Sequence, residues 1–437
     1  MSGGPEGDVA ATIRAAEAVF TRLIPDNGDP NQPIGVAVSG GGDSMALLSL
    51  LAEWAKDRSV VAATVDHGLR PESAAEAAEV ARHCDSIGVA HQTLQADLTG
   101  TPGNLPAAAR AARYRLLAGW ACDQRCAAVL LGHTMDDVAE TLLMRLARGS
   151  GIEGLAAMQP AWQADGVLWL RPLLDLRRAA LRRVLEARSI VWVEDPTNEE
   201  PAYDRVKARQ ALAALAPIGI SIDSLAKSAG HLRRQRRVLE RAMRTLARTA
   251  RRWGPFGEAW LEPDALAGDE RDTALRLLAD TLQRISGAPY RPRFTPLGDA
   301  LDAVLGGTAA LTLSGCVIRS GRTGAVICRE PAACAGRVAL TGHSVDWDRR
   351  WRITIDTIPG SDTFVGAIGE AGLSALTAME DWTPPEDWAT APREVRLATP
   401  ALWSADGPLL AAPLARFTAE IAETWGLDVK NIAANAD

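Results

Sequence analysis

The stretch Val36-Ala37-Val38-Ser39-Gly40-Gly41-Gly42-Asp43-Ser44 joins a β-branched run to three glycines and then to an apolar helix start. Glycines in such a turn let backbone N–H groups point at an anion, and the positive end of the following helix adds to the attraction. Ser39 and Ser44 can donate hydroxyl hydrogen bonds, and Asp43 suits a metal ion or a helix-start amide. The stretch therefore predicts a phosphate-binding loop between a strand and a helix. An unliganded glycine-rich βα turn is the alternative, because the Walker and dinucleotide-binding spacings are both missing.

A second segment carries a concentration of acidic residues. Ala128–Gly132 is typical of a buried strand, and polar residues follow it at the spacing i, i+3, i+4 and i+7. On a helix these residues share one face; they are His133, Asp136, Asp137 and Glu140. Three carboxylates and an imidazole together suit Mg²⁺, a cationic substrate, or both. A solvated helix start, with acids placed to suit the helix dipole, is the alternative.

Together the two segments resemble the N-type ATP pyrophosphatase (PP-loop) superfamily, whose members activate a substrate as an adenylate. Further blocks narrow the resemblance to the tRNA(Ile)-lysidine synthetase family and cover roughly the first half of the chain. In chain order they are Val65–Arg70, Asn104–Tyr114, Arg148–Leu155, Arg171–Leu174 and Val191–Asn198. Several blocks in the same order are far more specific than a single glycine loop.

The resemblance implies a two-step reaction on a tRNA. The C2 oxygen of the wobble cytidine in the CAU anticodon of tRNA(Ile) attacks the α-phosphate of ATP and releases pyrophosphate. The ε-amine of free L-lysine then attacks C2 and expels AMP, which leaves lysidine and changes codon specificity from AUG to AUA. ATP and Mg²⁺ are the implied cofactors, and tRNA(Ile) and lysine are the implied partners.

The resemblance also implies roles for individual residues. The ATP-binding residues are expected to be Ser39, Gly40, Gly41, Gly42, Asp43, Ser44, Asp66 and His67. The catalytic residues are expected to be Asp43, Arg113, His133, Asp136, Asp137, Glu140 and Arg205, with Asp43 and Asp137 as metal ligands. The segment Arg205–Arg209 lacks the Asn-Arg-Ile core that is usual in the family.

The charge is distributed unevenly along the chain. The net charge is −7, but Arg171–Arg252 holds 19 Lys and Arg against 9 Asp and Glu. Within this region His231–Arg248 combines an apolar stripe with many arginines, which predicts an amphipathic helix with a basic outer face. Arginines so placed bind phosphates in a salt-dependent way, although a solvated surface helix would give the same pattern.

The composition is typical of a cytoplasmic protein with reduced thiols. The 437 residues are 47% hydrophobic, enough for several cores, and no run of eighteen apolar residues or signal peptide is present. The six cysteines are too sparse for a disulfide scaffold, and Cys122 and Cys126 lack CxxC spacing. No membrane partner is expected. The sequence leaves the choice between a monomer and a homodimer open.

The organisation predicts three domains. Strands Ile34–Val38, Val60–Val65, His91–Leu94, Ala127–Leu131 and Ile190–Val193 alternate with helices. This alternation predicts an α/β fold with a doubly wound parallel sheet and ligands at the carboxyl ends of its strands. The expected domains are a PP-loop catalytic domain over 1–216, a mainly helical tRNA-binding domain over 217–335, and a small α+β domain over 336–437.

Two other functions remain open. A PP-loop tRNA thiolase shares the adenylation step but usually needs paired cysteines, and a non-catalytic RNA-binding protein could keep the fold without the chemistry. The late tryptophans could stack on RNA bases, but in a small domain they are more often core residues. They are Trp347, Trp351, Trp382, Trp388, Trp403 and Trp425.

Overall fold

The computed structural model describes most of the chain, namely residues 5–25, 29, 32–56, 58–68, 72–97, 105–156, 158–194, 204–288, 290–308, 310–321, 324–357, 362–419, 422 and 426–433. Parts of the quoted motifs lie outside the described residues: Leu69, Arg70, Asn104, the segment 195–198, and Trp425.

The chain divides into two compact units, an N-terminal unit, Met1–Arg237, and a C-terminal unit, Val238–Asp437. The helices are α1 Pro5–Leu23, α2 Gly42–Ala55, α3 Ser73–Ser86, α4 Leu105–Asp123, α5 Met135–Ala147, α6 Ile152–Leu155, α7 Arg178–Ala187, α8 Asp204–Leu215, α9 Ile222–Ala250, α10 Pro263–Ala267, α11 Arg271–Ser286, α12 Phe294–Leu305, α13 Gly369–Thr377, α14 Glu386–Thr390 and α15 Arg393–Leu397. The strands are β1 Ile34–Ala37, β2 Val60–Asp66, β3 Ala90–Gln95, β4 Ala128–Leu131, β5 Ala161–Ala164, β6 Val167–Leu170, β7 Arg251–Trp253, β8 Ala259–Leu261, β9 Ala310–Leu313, β10 Cys316–Gly321, β11 Gly324–Arg329, β12 Val338–Ala339, β13 Ser344–Trp347, β14 Trp351–Thr354, β15 Thr363–Ala367, β16 Pro400–Ser404, β17 Leu409–Ala412, β18 Phe417–Thr418 and β19 Asp428–Asn431.

The N-terminal unit is built on a six-stranded sheet in the order β3-β2-β1-β4-β6-β5. All neighbouring pairs are parallel except β5 with β6. The order reverses beside β1, where β2 lies on one side and β4 on the other. The predicted doubly wound α/β sheet is confirmed. Ligand sites in such sheets lie at the carboxyl ends of strands next to this reversal.

Helices cover both faces of this sheet. On one face α1, α2 and α7 bury a continuous cluster that includes Phe20, Leu47 and Leu181. On the other face α4 packs Leu117 and Trp120 against the strands. Burial on both faces explains why β1 and β4 are almost entirely apolar.

The prediction of a fifth strand over Ile190–Val193 is wrong. Only Val193 forms a bridge, to Gly41, and the sheet position beside β4 is filled by β6 instead. β5 and β6 form a hairpin whose turn residues, Asp165 and Gly166, both have positive φ. An Asp-Gly pair between apolar runs is a strong hairpin signal, so this strand pair was readable in the sequence.

The C-terminal unit contains three antiparallel sheets and short helices. One sheet, β7-β8-β11-β10-β9, packs on α11 and α12. The sequence from about Pro217 to Ser286 has the character of helices and their caps, which predicts a helical stretch, but β7 and β8 interrupt it. The alternation of apolar and polar residues in Val395–Ala398 predicts a strand, but α15 lies there, with Val395 and Leu397 both buried. Four residues cannot distinguish a strand's alternation from one helical turn.

The described tryptophans of this unit support the core interpretation. Trp347, Trp351, Trp388 and Trp403 are buried, and the Trp382 indole N–H donates to the Ala415 carbonyl. All six cysteines are free. The predicted domain boundaries at 216 and 335 remain predictions.

Within the described residues, no single helix has both the length and the apolar character to cross a bilayer. The pair Asp204–Ile218 and Ile222–Ala250, bent by 101°, meets that test only in combination, by length and composition.

Candidate active site

The glycine loop lies between the carboxyl end of β1 and the first turn of α2. Gly40 has φ +82°, a backbone conformation that residues with a side chain rarely adopt. The Ser39 N–H donates to Ser44 Oγ at 3.1 Å, and Ser44 Oγ donates to the Gly41 carbonyl at 2.8 Å. The two serine hydroxyls lie 3.2 Å apart. These bonds fix a tight turn at the positive end of α2, as the sequence predicts for a phosphate loop.

Two distant residues close around this loop. The Val193 N–H donates to the Gly40 carbonyl at 2.9 Å. Gly132, at the end of β4, approaches α2 so closely that a Cβ atom there would lie 3.0 Å from backbone atoms of Asp43 and Ser44. Glycine at 132 therefore allows the strand before the acidic helix to lie directly against the phosphate loop.

The acidic helix α5 begins at Met135 and not at His133. Thr134 caps it, because its N–H and its hydroxyl both donate to Asp137 Oδ2, at 2.8 and 2.9 Å. This reciprocal cap satisfies donors that a helix start leaves open. His133 consequently lies in the link between β4 and α5, a correction to the predicted shared helix face.

Arg178, the first residue of α7, joins the phosphate loop to the acidic helix. Its Nε donates to Asp43 Oδ2 at 2.8 Å. Its Nη2 lies 3.4 Å from Asp137 Oδ1, and its Nη1 lies 3.4 Å from Glu140 Oε1. Its backbone N–H donates to Asp136 Oδ2 at 2.8 Å. One residue thus contacts all four carboxylates that the sequence predicts to act together.

We define the acidic cluster as Asp43, Asp136, Asp137 and Glu140. Two further arginines form ion pairs with it. Arg209 Nε donates to Glu140 Oε1 at 2.7 Å, and Arg177 Nε lies 3.5 Å from Asp136 Oδ2. Even so, Asp43 Oδ1 and Glu140 Oε2 are buried and accept no hydrogen bond from the described residues. Buried carboxylate oxygens without partners are costly, so these two atoms are available to a bound cation.

The pKa values of Asp43 and Asp137, which both contact Arg178, are shifted in opposite directions. Burial raises the pKa of Asp43 to about 6, although Arg178 opposes the shift. Burial acts in the same direction on Asp137, but Arg178, His133 and the bond from Thr134 outweigh it and lower the pKa. The carboxylates in turn raise the pKa of Arg178 against its own desolvation. Of Asp43 and Asp137, Asp43 is therefore the carboxylate whose charge changes closer to neutral pH.

Three arginines lie near enough to His133 to repel its protonated form. Burial is the main cause that lowers the pKa of His133 to about 3. Repulsion from Arg171, Arg205 and Arg110 lowers it further, and the attraction of Asp137 offsets only part of this shift. The imidazole is therefore neutral at pH 7. Its Nδ1 is buried and has no hydrogen-bond partner among the described residues, which leaves it free to bond a ligand.

The remaining predicted residues fall into two groups. Arg113 and Arg205 lie near enough to repel each other electrostatically, and desolvation together with Arg110 and Arg205 lowers the pKa of Arg113. The pKa of His67 is lowered mainly by burial and next by repulsion from Arg113, so the two side chains lie near each other. Asp66 instead accepts the Gly68 N–H at 2.9 Å within its own turn, and this bond lowers its pKa. An Asp-His-Gly segment at a strand end is ordinary turn chemistry, and Asp66 is used in this way.

No group of three or more His, Cys, Asp or Glu side chains within the described part of the chain is arranged to hold a metal by itself. Mg²⁺ is usually bound by one or two carboxylates together with substrate phosphates and waters. The unpartnered Oδ1 of Asp43 beside a phosphate loop fits that mode better than an all-protein site.

Comparison with known proteins agrees with this geometry. Residues 13–216 match the PP-loop domain. A tRNA(Ile)-lysidine synthase from Ruegeria pomeroyi is 42% identical over 406 residues, which covers 92% of this chain and 94% of the relative. The chain belongs to the tRNA(Ile)-lysidine synthase family. A second tRNA(Ile)-lysidine synthase, from a Bradyrhizobium species, is 40% identical over 70% of this chain and 88% of its own length.

One of the solved structures that align with this member of the tRNA(Ile)-lysidine synthase family is a tRNA thiolase. The U34-tRNA thiolase NcsA from Methanococcus maripaludis, with its [4Fe-4S] cluster, aligns with a TM-score of 0.46 at 18% identity. That alignment covers 53% of this chain and 80% of the thiolase.

Sequence reasoning on this tRNA(Ile)-lysidine synthase family member missed Arg178 and Gly132. Two consecutive arginines, Arg177 and Arg178, begin α7 at its positive end, where cations are unfavourable. A basic pair at that position indicates that acidic partners lie elsewhere in the fold. Gly132 directly follows a buried strand, a position where a missing side chain often permits close backbone approach.

Proposed function

We propose that this protein forms lysidine on a tRNA(Ile) with a CAU anticodon. In the first step the C2 oxygen of the wobble cytidine bonds to the α-phosphorus of ATP, and the bond to pyrophosphate breaks. In the second step the ε-amine of free L-lysine bonds to C2, loses a proton, and AMP departs with the former C2 oxygen. Adenylation must come first, because an oxygen of cytosine is a poor leaving group.

A single observation carries the proposal. The guanidinium of Arg178 contacts Asp43 of the phosphate loop and both Asp137 and Glu140 of the acidic helix. Two segments that share one side chain lie close enough to act on one reactant. This supports a site in which triphosphate and lysine meet the same base.

We assign the ATP phosphates to the loop Ser39–Ser44. The Ser44 and Met45 amides already donate to the Gly41 carbonyl, so the proposed donors to the phosphates are the amides that precede them, at the positive end of α2. Asp43, whose Oδ1 lacks a partner, is the proposed ligand of Mg²⁺. Asp137 is the second proposed ligand, through Oδ1, because its Oδ2 is occupied by Thr134. Bound Mg²⁺ would offset negative charge on the phosphates.

We assign the lysine ammonium to the acidic cluster around Glu140. The Oε2 atom of Glu140 is buried and unpartnered, so a cation there would gain a charge-assisted hydrogen bond. The amine must lose a proton before it attacks, because its ordinary pKa is about 10.4. A carboxylate of the cluster is the proposed acceptor of that proton.

We assign the RNA side of the site to His133 and the arginines beyond it. Neutral His133 can donate or accept a hydrogen bond to the base, and Arg113 and Arg205 can bind its flanking phosphates. Asp66 and His67 are kept as the proposed edge of the adenine pocket. The proposed location is the cytoplasm.

The test supplies labelled lysine, ATP and an unmodified CAU-anticodon tRNA transcript to the purified protein. We expect label in the RNA, with one AMP and one pyrophosphate formed per lysine and no ATP cleavage when either lysine or RNA is omitted. Asp43→Asn should lower kcat/KM for ATP by at least about 100-fold. Asp123→Asn, an exposed acid at the end of α4, is the control and should change nothing.

Other outcomes identify the alternatives. A sulfur-containing nucleoside in the product would replace the proposal with thiolation. RNA binding without any turnover of ATP would reduce the protein to an RNA-binding module.

A further inference from the structure

A cavity of about 610 Å³ lies in the N-terminal unit outside the acidic cluster. It is formed by the end of α1, the first half of α9 and the segment Arg171–Asp175. Its volume falls within the range of small-ligand pockets. Met135, the first residue of α5, lines it, so one wall of this cavity belongs to the helix that carries the acidic cluster.

The cavity is strongly cationic. Six basic side chains line it against two acidic ones, Asp175 and Asp223. Asp223 is already paired with Arg177 at 2.7 Å. Among the described residues, no carboxylate lies within ion-pair distance of the four cations at the rim. These are Arg22, Lys227, Arg234 and Arg237.

Two arginines that line the cavity have charges that the surrounding protein compensates only in part. Burial lowers the pKa of Arg233, and Arg234 and Arg237 add repulsion against the single attraction of Asp175. Arg171 is 9% exposed, its ring-stacked guanidinium lies 4.0 Å from the centre of Trp162, and its Nε has no hydrogen-bond partner in the described chain. A bound phosphate would relieve both the repulsion and the missing bond.

The rest of the lining is apolar, which a site for phosphate alone would not need. Val19 and Leu23 of α1, Pro172 and Leu174 of the connecting segment, and Ala226 of α9 contribute it. An apolar wall beside a cationic rim matches a nucleotide, whose base is apolar on its faces and whose phosphate is anionic.

The cavity and the acidic cluster are separated by one side chain. Arg177 lies between them, 2.7 Å from Asp223 in the cavity wall and 3.5 Å from Asp136 in the cluster. A polynucleotide with one base in the site would therefore bring an adjoining nucleotide to the cavity. We propose that the cavity binds the nucleotide next to the reacting cytidine, with its phosphate on the arginines and its base on the apolar wall; this rests on the proposed function.

The first test introduces a bulky side chain into the cavity by a substitution on α9. A Cβ atom at Gly230 would meet only Arg233 and Arg234 side-chain atoms, at 3.6 and 3.9 Å, so a larger side chain can be accommodated. We expect Gly230→Phe to weaken binding of a CAU stem–loop RNA, measured without ATP and lysine, by about tenfold or more, and to leave a blunt duplex RNA unaffected. Ser228→Phe, exposed on the same helix, is the matched control.

A second pair of variants tests the charges. Lys227→Ala with Arg234→Ala should weaken stem–loop binding about tenfold and reduce its dependence on salt. Arg14→Ala with Arg82→Ala removes the same charge from α1 and α3, away from the cavity, and should leave affinity unchanged.

An abasic RNA identifies the occupant. Removing the base on one side of the wobble cytidine should weaken binding of the RNA to the wild-type protein. Because the cavity would then have no base to bind, Gly230→Phe should cause no further loss of affinity for this abasic RNA. Additive losses, or wild-type affinity in both Gly230→Phe and the double variant, would overturn the proposal. Labelled-lysine transfer by the wild-type protein tests the proposed function independently, so the two failures are distinguishable.

Discussion

Arg178 Nε lies 2.8 Å from Asp43 Oδ2, although the two residues are 135 positions apart in the chain. Asp43 belongs to the loop after β1, and Arg178 begins a helix that follows the whole parallel sheet. The pair connects the proposed triphosphate site to the proposed lysine site. It also places a fixed positive charge where two mobile cations are proposed to bind.

Arg178 is the first target for substitution. Arg178→Ala leaves Asp43, Asp137 and Glu140 without their shared cation, and breaking a largely buried ion pair from one side costs about 3–5 kcal/mol. We expect a clear drop in the melting temperature without ligands, partly restored by added Mg²⁺.

Arg182→Ala is the matched control for this variant. Arg182 lies on α7, the same helix as Arg178, and pairs with Glu194. The side chains of Arg182 and Glu194 are 41% and 63% exposed. Such surface pairs contribute about 0–1 kcal/mol. Equal destabilisation by the two substitutions would contradict the central position of Arg178.

The dependence of ATP binding on pH follows from Asp43. Because the pKa of Asp43 is raised to about 6, its carboxylate is protonated below that pH and cannot hold Mg²⁺. We expect kcat/KM for ATP, which reports the free enzyme, to rise with pH through about 6 and level off above 7.

Arg178→Gln tests whether Asp43 is the group that titrates in this pH profile. Arg178 lowers the pKa of Asp43 against burial, so its loss should move the acidic limb of the profile to higher pH. A limb that stays in place would assign the titration to another group.

Gly132→Ala tests the contact between the two motifs. The new methyl group would meet backbone atoms at 3.0 Å, which cannot rotate away, so β4 or α2 must shift. We expect a loss of stability of about 1–3 kcal/mol and weaker ATP binding, measured by thermal unfolding and calorimetry.

Gly119→Ala supplies the comparison. It lies within α4 with no atom within 4 Å of its built Cβ, so alanine there should be neutral or stabilising by up to about 1 kcal/mol. Weakened ATP binding in both variants would show that the effect is not local to the loop.

His133 is expected to act as a neutral imidazole. Its pKa of about 3 means that it stays uncharged through the working range of pH. We therefore expect His133→Gln, which keeps a hydrogen-bonding group, to retain more activity than His133→Ala. Imidazole NMR shifts of the wild-type protein should show no titration of this residue between pH 5 and 8. A midpoint near the ordinary value of about 6.5 would refute this expectation.

Much of the fold could be predicted because its signals are local. The Ser39–Ser44 loop, the buried strand before His133 and the alternation of strands and helices are each contained in short windows. The β5–β6 hairpin also depends on a short stretch of sequence, because the Asp165-Gly166 pair between two apolar runs indicates a hairpin turn. The helix at Val395 was misjudged because two buried residues in a single turn fit both periodicities.

The sequence by itself determined that a phosphate loop and an acidic helix both follow buried strands, because residue type and periodicity set local conformation. Only the tertiary structure decided that one guanidinium, Arg178, serves both segments. It also decided that burial raises the pKa of Asp43 to about 6 against the opposing charge of Arg178, since both act through space. Such effects depend on distances between residues far apart in the chain, which no local pattern specifies.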